Sequence, residues 1–352
     1  MKKIQIFEPA FDSPEVIRQI ADCLNSGWTG MGGKTIEFEN KWKEYTKLPY
    51  AHFLNSNTAG LHLALEIFKK VFNWNDDAEV ITTPITFIST NHMILHSKLV
   101  PVFCEVDEFL CLDPVDVEAK ITNRTKAIMF VGIGGNFGQL KKIRELATKY
   151  NLKLILDAAH MSGSYESESK EHAGHGTDVA IFSFQAVKNL PTGDSGMICF
   201  KEKEHDSLAR KLSWLGIDKD TFARSSEDGY KWKYDVPYLG YKYNGNAIMA
   251  AIALAQLPSL EKDNNHRNKL AEIYTNILSN NNKIKLILPS PDTFKMSRHL
   301  CQIVVPDRNY LMNTLATLNI HCGVHYNDNR TYTMYKQYGS IKNNIHEHII
   351  SL

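Results

Sequence analysis

The sequence predicts an α/β fold with a mostly parallel sheet, followed by a smaller α+β domain, and three observations predict it. From about residue 79 the chain alternates short β-branched or apolar runs with stretches of helical periodicity, the order of a parallel sheet covered by helices. Two runs, AIMFV at 127–131 and LILD at 154–157, are apolar continuously rather than alternately, as strands buried on both faces are. At 352 residues the chain exceeds the roughly 250 at which a single core stops growing. Two domains are therefore expected, at 1–250 and 251–352, with the N-terminal segment able to pack on the small one.

The elements follow in order. Asp12-Ser13-Pro14 offers a capping residue and a first-turn proline, and Val16, Ile17, Ile20 and Leu24 recur at helical spacing, so a helix should run from there to near Gly27. A second helical pattern begins at Thr58 and continues through Leu61, Leu65 and Phe68. Strands are expected from Glu79 to Thr83, Val100 to Val106, Lys126 to Val131, Lys153 to Asp157, Val179 to Ser183 and Gly196 to Phe200. The segment from Asn246 to Leu260 is apolar on nearly every side and reads as a buried connecting helix. Beyond it, a helix near His266 to Leu278, strands near Lys285 and Ile303, a helix near Asn309 to Leu318 and the run HCGVHY make up the small domain.

Composition excludes several function classes. Lys+Arg 40 against Asp+Glu 39 leaves no long-range attraction for a polyanion, and the basic residues are scattered, so nucleic acid is not an expected partner. The longest apolar stretches, such as Lys126 to Ile133, fall short of the ~20 residues that cross a bilayer. Glu8, Pro9 and Asp12 interrupt the N-terminus before any long apolar run, which makes a poor signal peptide. The cysteines at 23, 104, 111, 199, 301 and 322 form neither a CxxC pair nor a regular framework. They are expected to be buried, reduced thiols in a cytoplasmic, reducing compartment.

In an open α/β sheet, ligands bind beyond the carboxyl ends of the strands. Four segments fall there. Asn55-Ser56-Asn57-Thr58-Ala59-Gly60 opens a helix, where free N–H groups and hydroxyls can hold a phosphate, although Thr58 as a plain N-cap explains the residues equally well. Phe87 follows the strand ending at Thr83, to stack on a flat ring or to fill the core. Asp157 ends a fully apolar strand and needs a cation there, whether a pyridinium N–H, an arginine or a helix cap. Lys188 lies five residues past Ser183 in a turn rich in Asn, Pro and Gly; on frequency alone it would be a solvated surface lysine.

Taken together, NSNTAGLHLAL, TPITFISTNHMI, LDAAH, FSFQAVKNLPTGDSGMI, LGYKYNGNAIMAAIALAQL and GVHY, preceded by SGWTGMGGKTIEFE, closely resemble the DegT/DnrJ/StrS group of nucleotide-sugar aminotransferases. These are fold-type I pyridoxal phosphate (PLP) enzymes. The resemblance spans nearly the whole chain and implies a mostly parallel seven-stranded sheet. It implies that Lys188 carries the cofactor as a Schiff base, that Asp157 pairs with the pyridine nitrogen, and that Phe87 stacks on the ring. His160 would lie near the cofactor's 3-hydroxyl, while Thr58, Ala59 and Ser183 would hold the phosphate. Asp157 keeps the ring nitrogen protonated and so makes the ring an electron sink. Lys188, once displaced, can act as the base that moves the proton. Sugar dehydratases of the same superfamily have histidine at the lysine position, so Lys188 favours transamination over dehydration, and Lys188, Asp157 and His160 together argue against a PLP-binding sensor.

The resemblance further implies L-glutamate as amino donor, a nucleotide-linked keto-deoxysugar as acceptor, amino sugar biosynthesis for a surface polysaccharide, and a homodimer with shared sites. In relatives a Gly-Tyr-Asn-Tyr-Arg stretch serves the partner's phosphate site; here it reads Gly240-Tyr241-Lys242-Tyr243-Asn244, so Lys242 or Asn244 would donate. A His-Leu-Tyr-Gly stretch is replaced by Gly132-Ile133-Gly134-Gly135-Asn136, which could line the sugar site. Relatives continue into a Leu-Pro-x-His segment, so the pattern is expected to extend past Leu352. Trp28, Thr29, Lys34 and His325 are expected near the substrate by the same likeness. His172 and His175 have no third ligand at sensible spacing, so they read as solvated loop residues and no metal is expected.

Overall fold

The computed structural model describes residues 3–218, 234–341 and 343–352. Helix α1 (Ser13–Asn25) begins as predicted, with the Asp12 carboxylate accepting from the Glu15 N–H and Pro14 in the first turn. Helix α2 (Gly33–Thr46) is not announced by periodicity. It buries Phe38 and Trp42, but Glu39, also buried, interrupts the apolar stripe. Glu39 has three partners on two elements: the His52 ring and the Phe53 N–H on the next strand, and the Arg210 guanidinium. The first of the unforeseen strands, β1 (His52–Leu54), is fixed by that carboxylate.

Helix α3 (Asn57–Val71) follows, capped by Ser56 rather than Thr58: Ser56 Oγ accepts from the Ala59 N–H at 3.0 Å. Strands β2 (Glu79–Thr82), β3 (Val100–Phe103), β4 (Thr125–Val131) and β5 (Lys153–Asp157) sit where the sequence places them, though β3 stops at Phe103 instead of reaching Val106. Pro101 is tolerated because β3 is a sheet edge. The pairs β6 (Tyr165–Glu166) and β7 (Ala173–Gly176) are small loop strands. Strands β8 (Val179–Ser183) and β9 (Gly196–Phe200) have their predicted bounds.

The large sheet runs β1-β9-β8-β5-β4-β2-β3. Neighbours from β8 to β3 are parallel, and β9 is antiparallel to both β8 and β1. Because β8, β5, β4, β2 and β3 are parallel neighbours, their carboxyl ends lie along one edge of the sheet, where open α/β sheets bind ligands. Residues on the two faces fill separate apolar clusters, one around Trp42, Phe130 and Phe182 and one around Leu63, Phe68 and Phe200. Both faces are covered, as the continuous apolar runs predict.

After α3, shorter helices (Ile88–His96, Pro114–Ala119, Leu140–Lys149 and Lys203–Ser213) line the sheet. The apolar segment becomes a helix at Ala247–Gln256, capped by Asn246 and packed on α1 and α2, and a longer helix follows at Leu260–Leu278. Strands β10 (Lys285–Leu286), β12 (Gln302–Val304) and β13 (Ile349–Ser351) form a separate antiparallel sheet beside the helix at Arg308–Thr317, and β11 (Thr293–Lys295) pairs with β6. Ile4 bridges to Ile320, so the N-terminal segment lies on this second unit. All six cysteines are free; four are buried and Cys301 and Cys322 only half-buried. No helix among the described residues is long and apolar enough to cross a membrane.

Candidate active site

A cavity of about 430 Å³ opens at the carboxyl ends of β5 and β8, lined by Ser56, Asn57, Thr58, Phe87, Asp157, His160, Ser183, Lys188, His325 and Tyr326 among others. Asp157 is placed there because it is the last residue of an otherwise apolar buried strand. Its donors are all neutral: Thr90 Oγ1 at 2.8 Å, and the Asn57 amide and Ala159 N–H each at 3.2 Å. Among the described residues no arginine meets it. Burial pushes the carboxyl above its ordinary range, and these hydrogen bonds with the nearby Lys188 charge only partly offset that. A protonated ring nitrogen would complete the site.

Lys188 lies in the turn after β8, its N–H donating to the Gln185 carbonyl. Burial lowers its ammonium to about 8, against the opposing charge of Asp157. The lysine is half-buried and reaches the cavity, so it is no solvated surface residue. His160 is buried; the Gly134 N–H donates to its Nδ1 at 3.1 Å, so the neutral ring carries its proton on Nε2, 3.4 Å from the Tyr326 hydroxyl. Burial, with the Lys188 and His325 charges, holds its pKa far below the usual histidine range.

Phe87 is 57% exposed and walls the cavity, which overturns the core reading and leaves a ring face free for stacking. At the other end, Ser56, Asn57 and Thr58 bring in the N-terminus of α3, whose first amides have no intrahelical acceptor. Ala59 is buried, its N–H goes to Ser56, and it is not among the lining residues. Gly196 lets β9 approach: a Cβ there would sit 2.5 Å from the Asn57 nitrogen. Ser183 and Ser195 add hydroxyls to this wall.

His325 lines the cavity, and its buried Nδ1 has no hydrogen-bond partner among the described residues. Burial lowers this ring to about 4. The loop Gly132 to Asn136 is buried and does not line the cavity; it braces His160 through Gly134 and the 285–295 segment through Asn136. Trp28, Thr29 and Lys34 lie away from the cavity: Trp28 Nε1 donates to the Met31 carbonyl and Lys34 Nζ to Gln19. Lys242 Nζ sits over the Trp214 ring, 3.1 Å from its centre, and neither it nor Asn244 lines the cavity.

His172 is buried rather than solvated; its Nε2 accepts from the Gly163 N–H and its Nδ1 bonds the Ala173 carbonyl. His175 bonds the Thr46 carbonyl. Residues that sequence reasoning missed include Asn57 and Thr90 on Asp157, Tyr326 beside His160, and His299, whose Nε2 lies 3.4 Å from Lys188 Nζ. Asn57 and Tyr326 stand inside motifs already singled out; His299, in an irregular segment, carries no sequence signal.

The donor set fits PLP. A buried carboxylate would meet the ring nitrogen, an amine the aldehyde, an exposed aromatic the ring face, and a helix N-terminus with hydroxyls the phosphate. The sheet and the site together define a fold-type I PLP-dependent transferase. Residues 12–352 match the DegT/DnrJ/EryC1/StrS aminotransferase family, and the chain belongs to that family.

Similar proteins agree. The UDP-4-amino-4-deoxy-L-arabinose–oxoglutarate aminotransferase of Shewanella sediminis is 33% identical over 342 residues, covering 95% of this chain and 86% of that protein. The structure of Helicobacter pylori PseC, an aminotransferase of pseudoaminic acid biosynthesis, superposes with a TM-score of 0.90 at 26% identity, covering 99% of this chain and 93% of that one. Spr1654 from Streptococcus pneumoniae, in its pyridoxamine phosphate (PMP) form, gives a TM-score of 0.86 at 28% identity, covering 98% and 93%, and it is also known in a PLP form. The chain is a PLP-dependent aminotransferase.

Proposed function

We propose that the enzyme transfers an amino group from L-glutamate to a keto-deoxysugar carried on a nucleotide, in cytoplasmic amino sugar synthesis for a surface polysaccharide. The observation that carries this reading is that Lys188, Asp157 and the N-terminus of α3 share one cavity with an open wall. Bound PLP supplies an aldehyde and an electron-withdrawing ring. Asp157 holds the proton at the ring nitrogen. Lys188, with a pKa near 8, can take a proton from the carbon that loses the amine and return it to the one that gains it. Tyr326 and the bracing loop hold His160, while His325 offers an unpaired Nδ1 to a ligand.

The protein acts as a homodimer in this reading, with Asn244 of each subunit completing the neighbour's phosphate site. Asn244 Nδ2 spends one amide proton on the Gly245 carbonyl at 2.9 Å and keeps a second to donate to a phosphate, whereas Lys242 is engaged with Trp214. The division at residue 250 separates a large cofactor-binding unit from the small C-terminal one. The test is to add L-glutamate to the purified PLP-loaded enzyme, then nucleotide-linked 3-keto and 4-keto sugars. The cofactor's visible absorbance should bleach with glutamate and return with one sugar. An unchanged spectrum would favour a sensor; return only with a non-sugar ketone would refute the acceptor.

A further inference from the structure

One buried histidine outside the expected set is aimed at the reacting amine, and its hydrogen bonds can be followed to their ends. Asn264 Nδ2 donates to the Ser162 carbonyl at 2.9 Å, which leaves Oδ1 to accept. Asn189 Nδ2 donates to that Oδ1 and to the Ser297 carbonyl, both at 2.7 Å. Both amide orientations are therefore set by carbonyls, which only accept. Asn189 Oδ1 remains for His299, 3.0 Å from Nδ1, so Nδ1 must carry the ring proton. Nε2 then holds a lone pair, and it faces Lys188 Nζ at 3.4 Å.

The ring cannot easily turn away. The His299 N–H donates to the Gly134 carbonyl at 3.1 Å, and Phe7 stacks on the ring at 5.4 Å and 14°. Gly134 thus pins two histidines, His160 through its amide and His299 through its carbonyl.

We propose that His299 is a positioning residue for Lys188: Asn189 locks its Nδ1–H tautomer, and its Nε2 lone pair receives the lysine ammonium whenever that amine is free of cofactor. The inference rests on the reading of Lys188 as the reacting amine. Other groups acting on Lys188 or on His299 are Asp157, His160, His325 and, more remotely, Arg267. Burial keeps the three histidines neutral, so Asp157 supplies the opposing charge and His299 the directed acceptor. An acceptor that bonds the charged amine favours its protonation, so losing it should lower the pKa of Lys188.

Two measurements test this on the full chain. In protein carrying 15N-labelled histidine, with the His299 signal assigned by its disappearance in His299→Gln, ring 15N shifts should show the Nδ1–H tautomer; an Nε2–H ring overturns the proposal. In the PMP-loaded enzyme Lys188 is free, and its acetylation against pH, read by mass spectrometry, gives its midpoint. His299→Leu should lower that midpoint by roughly one unit, a tenfold change in the amine-to-ammonium ratio at fixed pH, and His299→Gln, which keeps an acceptor, should restore it. An unchanged midpoint in His299→Leu overturns the proposal. Failure of the functional reading itself would show separately, as PLP absorbance that glutamate does not alter.

Discussion

Arg330→Met should cost about 3–5 kcal/mol of stability, the scale for stranding one member of a buried ion pair. The wild-type guanidinium is 3% exposed and clasps two carboxylates. It bonds Asp328 through Nε at 3.0 and 3.1 Å and Nη2 at 2.7 Å, and Glu105 through Nη1 at 2.6 Å. Methionine fills much of the space but donates nothing, and Asp328, 1% exposed, cannot reach water. The consequence reaches the site, because Asp328 and Asn329 anchor the segment after His325 and Tyr326 to the sheet, through Ile85 and the Pro84 carbonyl. Urea unfolding at neutral pH, compared at constant slope, measures the loss. Turnover should fall by at least roughly tenfold as the cavity wall shifts. Asp328→Asn in the same chain should recover at least about 2 kcal/mol, since the more deeply buried of the two carboxylates is then neutral. A loss under about 1 kcal/mol for the single variant would refute this account of the clasp.

Lys188→Arg should bind PLP without its characteristic visible absorbance and lose turnover while thermal unfolding stays unchanged; residual transamination would remove Lys188 from the chemistry. Asp157→Asn should fold normally, because Thr90 and Thr86, 2.9 Å apart, can reverse their hydroxyls to accept from the new amide. Its turnover should fall by at least about 100-fold, and marked destabilisation of the cofactor-free variant would contradict the cost assigned to burying this carboxylate. Gly134→Ala should cost about 1–2 kcal/mol because φ is +61°, with calorimetry as the check. Burial holds His172 and His325 at about 4, against 6.5 for a free ring, and holds His160 and His299 well below the free value as well. Such rings take protons in the unfolded chain first, so the cofactor-free protein should lose stability as pH falls from about 6.5 toward 4, by up to about 1.4 kcal/mol per unit for each. Asp157, raised by burial, works the opposite way. His172→Gln should flatten the slope in a pH series of urea unfolding curves; an unchanged slope would mean this ring is not neutral in the fold.

Local chemistry made much of this protein legible. The continuous apolar runs placed β4 and β5 because a strand covered on both faces has no solvated side to alternate with. A carboxylate at the end of such a run is visible because it violates the ordinary cost of burial, whereas Lys188, by frequency a solvated surface lysine, was singled out only by the family resemblance. β1 and α2 were not legible: three residues carry no period, and Glu39 looks like a surface residue until Arg210 and His52, distant in sequence, are folded against it.

The sequence by itself determined the central strands of the large sheet, through residue type at short spacing, and its motifs, through their resemblance to a known family, pointed to the cofactor and the reacting pair. Tertiary structure alone decided which groups surround that pair. It moved the Gly132 to Asn136 loop from the substrate wall to the support beneath His160, made Ser56 the cap, and brought His299 to Lys188 across 111 positions of chain. The physical reason is that a hydrogen bond is fixed by direction and distance in space, and only the closed fold specifies those between residues far apart along the chain.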